Sequence, residues 1–466
     1  MLIGGKWRYG ESEYEVCDPY RGLVVSIAPI STAHDLDDAL VSAVKGKKIA
    51  AKLAGYQRAD ILHRAGAILA ERIDEIAEIM ARETGKAIKD CKGEVERSCS
   101  TVRLSAEEAV RITGEHVPME ASAMGAGKVA MLLRFPVGVV AGITPFNAPF
   151  NLAMHKIAPA FAAGNAIVLK PPPQAPLVVH KLVQIMVEAG MPEGVLNVVY
   201  GNDVGPLLVR DPRVDFISFT GSAAVGEIIK AASGLRRVAL ELGGTGQTIV
   251  DQDADLVAAA PVCARNAMRL AGQSCASVQN LYVHHSRRCE LIERMEAEIA
   301  MLKTGDPLDP ETDVGTMIDE AAAMRVEQWA TEAVSGGARL VIGGGRTGAQ
   351  LQPTLLADVT PSMKVVNTEV FGPLASVQTF DDIGKVFEII SEAPLGLQCG
   401  IYTNNLQTSM NAVRRIRSGA VIVNGTSTWR VDQMPYGGVK GSGIGREGPY
   451  YAMRDLTEER LVVFNL

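Results

Sequence analysis

Between residues 137 and 241 the chain alternates short β-branched runs with helical patterns, and few folds accept that order. The runs fall at 137–143 (VGVVAGI), 166–169 (AIVL), 196–199 (LNVV), 214–219 (VDFISF) and 237–241 (RVALE). Helical patterns lie between them at 151–163, 175–189, 203–210 and 222–232. Alternation of this kind implies a parallel sheet with right-handed crossovers and helices on both faces. The expected class is therefore α/β, with a doubly wound parallel sheet whose ligand crevice opens at the carboxyl ends of the strands.

The flanking segments extend this reading. Residues 33–113 read as mainly helical. One segment starts near Gln57, carries Ile61, Ala65, Ile68, Leu69, Ile76 and Met80 near a 3.6 period, and stops at Gly85, a left-handed C-cap. Residues 112–136 suggest a β-hairpin. A second alternating region runs from 247 to about 424, with helices near 254–269, 286–303 and 320–335, and Arg460–Phe464 is the last strand candidate.

At 466 residues, the chain has room for two to four domains at roughly 100–200 residues each. A hydrophobic share of 47% and a charged share of 21% exclude disorder as the main state. The net charge of −7, with mixed signs along the chain, argues against a nucleic-acid partner. No apolar run approaches the ~20 residues of a membrane helix, and MLIGGKWRYGESEYE lacks the basic and apolar parts of a secretory signal. Seven scattered Cys without a CxxC pair argue against a disulfide framework and a metal site, so a reducing, cytoplasmic setting is expected.

Several residues could carry chemistry. Phe219-Thr220-Gly221-Ser222 ends a strand and opens a helix, with Gly226 one turn on; such an N-terminus suits a phosphate, although a tight turn needs the same residues. Lys170 ends the second strand run, where it could meet ribose or phosphate or be a solvated charge. Cys275, in AGQSC, has the flexible and polar flanks of a reactive thiol; a buried Cys packing as a small hydrophobe is the alternative. Glu241 precedes Leu242-Gly243-Gly244 and could be a general base or a solvated strand end. Asn147 lies between Pro145 and Pro149, as a rigid amide donor or as an Asx-turn.

Read together, these pieces resemble the aldehyde dehydrogenase superfamily over nearly the whole chain. The matching strings are TPFNAPF (144–150), NAIVLKP (165–171), FTGSAAVG (219–226), LELGG (240–244), GQSC (272–275), EVFGP (369–373) and PYGGVKGSGIGREG (435–448). Glu241 and Cys275 are 34 residues apart, the family's usual interval. The resemblance implies that Cys275 attacks an aldehyde carbonyl, that the Asn147 amide holds the oxyanion, and that Glu241 activates the water that releases the acid. It places an NAD or NADP cofactor against Ile143, Thr144, Pro145, Phe146, Lys170, Pro173, Gly201, Gly205, Phe219, Gly221, Ser222, Gly226, Leu242, Gly243, Glu369 and Phe371. It also implies three parts: a cofactor domain (1–111 and 136–241), a catalytic domain (242–448), and a β arm (112–135 and 449–466) that makes a homodimer or homotetramer by strand addition.

One position departs from many NAD-using relatives. They carry Glu three residues after the strand-end Lys; here it is Pro173, which removes repulsion against a 2′-phosphate, so NADP is expected to be accepted. For the substrate, the resemblance points to His155, Ser274, Trp429 and Arg430, a polar set suited to a small polar aldehyde. The string WRVDQMPYGG is similar to the branch holding lactaldehyde and phosphonoacetaldehyde dehydrogenases, but Ser274 stands where phosphonate and phosphate users often have Arg. Arg97 and Arg103 read as structural or solvated charges. A CoA-acylating semialdehyde dehydrogenase and a catalytically silent relative are the alternatives, and the presence of Glu241 speaks against the first.

Overall fold

The computed structural model describes residues 1–466. Chain order begins with two short strands, β1 (Leu2–Ile3) and β2 (Lys6–Trp7), and a hairpin of β3 (Ser12–Cys17) and β4 (Val24–Ile30). Four helices follow: α1 (Ala33–Ala50), α2 (Gly55–Ala70), α3 (Ile73–Thr84) and α4 (Ile88–Ala109). Next come β5 (Glu115–Val117) and β6 (Lys128–Pro136), then β7 (Val139–Ile143), α5 (Pro149–Ala162), β8 (Ala166–Lys170), α6 (Pro176–Glu188), β9 (Leu196–Val198), α7 (Val204–Arg210), β10 (Phe216–Thr220), α8 (Ala223–Ser233) and β11 (Arg237–Glu241).

Strands β9-β8-β7-β10-β11 form the parallel centre of the first sheet. The sheet grows outward in both directions from β7, so the strand order reverses between β7 and β10, the point where an open α/β sheet leaves its crevice. Both edges are closed by antiparallel strands: β1 pairs with β9, and Gly443–Ile444 pairs with β11. Neither was anticipated, because a two-residue strand has no periodicity to read.

The expected helix from Gln57 to Gly85 is instead two, α2 and α3. Arg72 leaves helical backbone at φ −119°, ψ 17°. The break redirects the chain, so that α3 packs on the β3–β4 hairpin as well as on α4 and α6. Gly85 ends α3 at φ 70°, ψ 8°, and its carbonyl accepts from Thr316 N at 2.8 Å, tying this helix end to the second domain.

The second sheet runs Arg339–Ile342, Thr354–Ala357, Leu374–Phe380, Asn280–His284, Gln247–Val250, Gln398–Tyr402 and Ala420–Val423 from edge to edge. It has its own apolar core, separate from the one beneath the first sheet. The third part is a three-stranded antiparallel sheet in which β6 lies between β5 and the final strand Thr457–Asn465. The helix Pro449–Asp455 belongs elsewhere: Met453 and the adjacent Leu456 are buried in the first core. The C-terminal share of the arm sheet therefore starts at Thr457, because the residues just before it make better contacts on the first domain. No helix is long and apolar enough to cross a membrane.

Gly85→Ala is expected to destabilise the protein by about 1–3 kcal/mol, since a left-handed L-residue is strained and its Cβ would overlap Thr316 Oγ1. The shift in urea midpoint measures this cost.

Candidate active site

Parallel register sets the site. Ile143 pairs with both Lys170 and Phe219, and Thr220 pairs with Glu241. The segments leaving these strands therefore emerge side by side. Beyond β7 the chain runs through Thr144, Pro145 and Phe146 to Asn147 before α5; beyond β10, Gly221 and Ser222 open α8, with Ser222 accepting from Val225 N at 3.4 Å.

Two cavities share Pro145, Phe146, Thr220 and Gly221 and so form one trough. The outer, of about 420 Å³, is lined by Ile143, Thr144, Lys170, Pro173, Gly205 and Phe219, among others; Lys170 and Arg210 are its cations and no carboxylate lines it. Burial lowers the Lys170 ammonium to about 8. This suits a dinucleotide: a long polar-apolar slot, a free helix N-terminus for the pyrophosphate, and cations without competing acids. Gly201 and Gly226 do not line it. Gly201 has φ +98° and turns the chain beside Ile30, while a Cβ on Gly226 would lie 2.6 Å from Leu242, so Gly226 lets α8 sit close to the strand.

The inner cavity, of about 340 Å³, brings together Asn147, Ser222, Glu241, Leu242, Gly243, Cys275, Glu369 and Phe371. Cys275 comes from the second domain, on a chain turn in which Leu270, Ala271 and Gly272 all have positive φ (58°, 50° and 66°). Three successive left-handed residues are costly for L-amino acids, and such strain persists only where surrounding structure imposes it. Here Gly272 abuts the Gly372 carbonyl, where a Cβ would approach to 1.9 Å. The apolar walls push the Cys275 thiol up to about 11, partly offset by its hydrogen bond with Tyr436 Oη at 2.9 Å.

Glu241 is buried with neither carboxylate oxygen hydrogen-bonded. Burial, and then the nearby Glu447 charge, raise its pKa well above the usual carboxylate range. Burial acts the same way on Glu447, but the surrounding His155, Arg430 and Lys156 overcome it and keep Glu447 ionised. Arg430 donates to Glu447 at 2.9 Å, and Lys156 stands 3.9 Å from it while donating to Thr220 Oγ1 at 2.8 Å. Glu369 accepts from Gly244 N at 3.2 Å and is raised to about 7 by burial. Phe371, at φ +48°, meets the Phe146 ring edge-on at 5.9 Å.

The expected substrate set divides. Arg430 lines the inner cavity; His155, Ser274 and Trp429 do not. His155 lies behind the wall, its Nε2 facing Asp432 and Arg430, both at 3.2 Å. The helix face was legible, but the partner that draws the ring inward, Asp432, is 277 residues away. Trp429 is 54% exposed, and Ser274 lies in the turn, its backbone N–H donating to Gly272 O at 2.9 Å. Arg97 pairs with Asp432 at 2.6 Å and Arg103 with Glu107 at 2.7 Å. Sequence reasoning missed Tyr436, Glu447 and Arg325 as lining residues. The first two lie inside the quoted PYGG…GREG string; Arg325 gives no local signal.

A buried clamp holds Asn147. Glu94 on α4 accepts from Phe150 N at 2.9 Å and Asn151 N at 3.0 Å, satisfying the start of α5. Its ion-pair partner Lys86 donates to the Asn147 carbonyl at 3.1 Å.

Fold and cavity thus define a two-domain α/β protein with a dinucleotide trough ending at a half-buried thiol. The aldehyde dehydrogenase family model matches residues 7–462, and the chain belongs to that family. The 3-sulfolactaldehyde dehydrogenase of Priestia aryabhattai is 43% identical, covering 100% of this chain and 98% of that protein. A lactaldehyde dehydrogenase of Methanocaldococcus jannaschii is 36% identical over 100% of both chains. The crystal structure of an NADP-dependent glyceraldehyde-3-phosphate dehydrogenase from Bacillus halodurans, complexed with NADP, superposes with a TM-score of 0.97 at 34% identity, covering 100% of this chain and 98% of that one. The protein is accordingly an NAD(P)-dependent aldehyde dehydrogenase.

Alkylation of Cys275 by iodoacetamide, followed by peptide mass mapping, is expected to accelerate about tenfold per pH unit from about pH 7 to 9, because the thiolate fraction is still rising there. A plateau below pH 8 would contradict the raised thiol. Glu94→Gln leaves Lys86 buried and uncompensated and is expected to cost about 3–5 kcal/mol in urea denaturation.

Proposed function

We propose that the protein oxidises a small polar aldehyde of the lactaldehyde or glycolaldehyde kind to its carboxylic acid. The convergence of Cys275, Asn147 and Glu241 on one cavity at the end of the trough carries this reading. Cys275, once it has lost its proton to solvent, attacks the carbonyl carbon as the thiolate, giving a thiohemiacetal whose oxyanion is held by the Asn147 amide and the Cys275 backbone N–H. When bound, NAD(P)+ would supply the hydride acceptor for oxidation of this adduct to a thioester. Glu241 takes a proton from the water that attacks the thioester, and its raised pKa makes it a stronger base than an ordinary carboxylate. Ser222 and Gly221 would hold the pyrophosphate, Glu369 the nicotinamide ribose, and Lys170 the adenosine ribose or its phosphate.

Cavity size favours a small substrate. Arg430 is already paired with Glu447, whereas Arg325 donates only to Val370 O at 2.8 Å and is the cation of the space without a carboxylate partner. The similarity to a 3-sulfolactaldehyde dehydrogenase supports a second reading, in which the 2-hydroxy aldehyde also bears a sulfonate.

The free outer edge of Thr457–Asn465, with Leu461, Val463 and Phe464 exposed, supports a homodimer or homotetramer by strand addition. Seven free cysteines fit a reducing cytoplasm.

A panel of aldehydes followed by NAD(P)H absorbance tests the reaction. Lactaldehyde and glycolaldehyde should exceed hexanal and benzaldehyde in kcat/KM, and added CoA should leave the rate unchanged. A faster rate with 3-sulfolactaldehyde selects the sulfonate reading; a faster rate with hexanal overturns the polar pocket. Glu241→Gln should keep a single-turnover burst of NAD(P)H while losing at least about 10²-fold in steady-state turnover. Pro173→Glu should raise the KM for NADP at least about tenfold while sparing NAD, because it restores a carboxylate beside the 2′ position.

A further inference from the structure

Tyr436 is built to hold one hydroxyl in one place. Its side chain is buried, and it packs with Ala276 and Leu397. The Arg430 guanidinium lies over its ring at 3.8 Å, and Arg430 is itself fixed by Glu447. Its backbone is pinned by reciprocal bonds with Glu447, 3.1 Å from Tyr436 N and 2.7 Å to Tyr436 O. The phenol oxygen of this rigid group has one protein partner, Cys275 Sγ at 2.9 Å.

That partner does not survive the first chemical step. Once sulfur has bonded to the aldehyde carbon it carries no proton and is at best a weak acceptor. The phenol O–H is then a buried donor in need of a new acceptor, and leaving it unmet is costly. A hydroxyl on the carbon next to the aldehyde would lie three bonds from the sulfur, and so within reach of the phenol oxygen that stands 2.9 Å from that sulfur. We propose that Tyr436 is a specificity-determining residue: its hydroxyl takes up the substrate's 2-hydroxyl as the thiol is consumed, favouring 2-hydroxy aldehydes over their deoxy analogues. This inference rests on the small-aldehyde reading above. It requires no change in the covalent steps, only an exchange of one hydrogen-bond partner for another.

The test compares kcat/KM for lactaldehyde and propanal in the wild-type enzyme and in Tyr436→Phe. The ratio cancels any general loss of nucleophile reactivity in the variant. The wild-type ratio should lie well above one, and Tyr436→Phe should lower it at least about tenfold, the size expected for a buried donor and its partner. A wild-type preference that survives unchanged in Tyr436→Phe overturns the role of Tyr436 and leaves the proposed function standing. A wild-type ratio near one overturns the 2-hydroxy aldehyde reading itself. A second measurement needs no variant: 3-hydroxypropanal, with its hydroxyl one carbon further away, should be no better than propanal in the wild-type enzyme. If it matches lactaldehyde, the hydroxyl is not being read at the position Tyr436 reaches.

Discussion

Ile143 is bonded in register between Lys170 on one side and Phe219 on the other, and the pairing continues to Thr220 and Glu241. A parallel ladder delivers the ends of all its strands at one edge, so this register places the Asn147 loop, the start of α8 and Glu241 within one crevice. A slip of one residue would turn each strand's side chains to the opposite face. The second domain then has only to supply Cys275, and it does so on a strained turn held against Gly372.

The crevice is surrounded by buried charge. Asp432, His155, Arg430, Glu447 and Lys156 form a chain of hydrogen bonds and ion pairs that the half-exposed Arg97 continues outward; Arg430 and Glu447 stand in the cavity wall and His155 and Lys156 behind it. Buried charges are tolerated where they are paired, and leaving one unpaired is expensive. Within that arrangement Glu241 is the exception, with both oxygens unpartnered. Its neighbours are close enough to fix the local potential but leave its oxygens free, and a Cβ on Gly437 would come within 2.6 Å of one of them. The same polar chain explains why His155 faces Asp432 rather than the substrate space.

Much of this could be read directly from residue order. The five parallel strands of the first sheet, the helices between them and the left-handed Gly85 follow from periodicity and backbone chemistry, which act over a few residues. Resemblance to aldehyde dehydrogenases supplied what local patterns could not, the expectation that residues 147, 241 and 275 belong together. Motif spacing was less informative where a residue's role depends on a distant partner. Trp429 and Arg430 are adjacent in the chain, yet only Arg430 turns into the inner cavity.

The sequence by itself determined the α/β class, the alternating order of elements and the chemical types available for catalysis, because hydrophobic period, turn residues and side-chain chemistry are local properties. Only the tertiary structure decided which of those side chains share a cavity, which are tied up in ion pairs, and that Tyr436 stands at hydrogen-bonding distance from Cys275. Those outcomes depend on contacts between segments distant in the chain, 161 residues for Cys275 and Tyr436, and on the cost of burying charge, neither of which is written in any short stretch of chain.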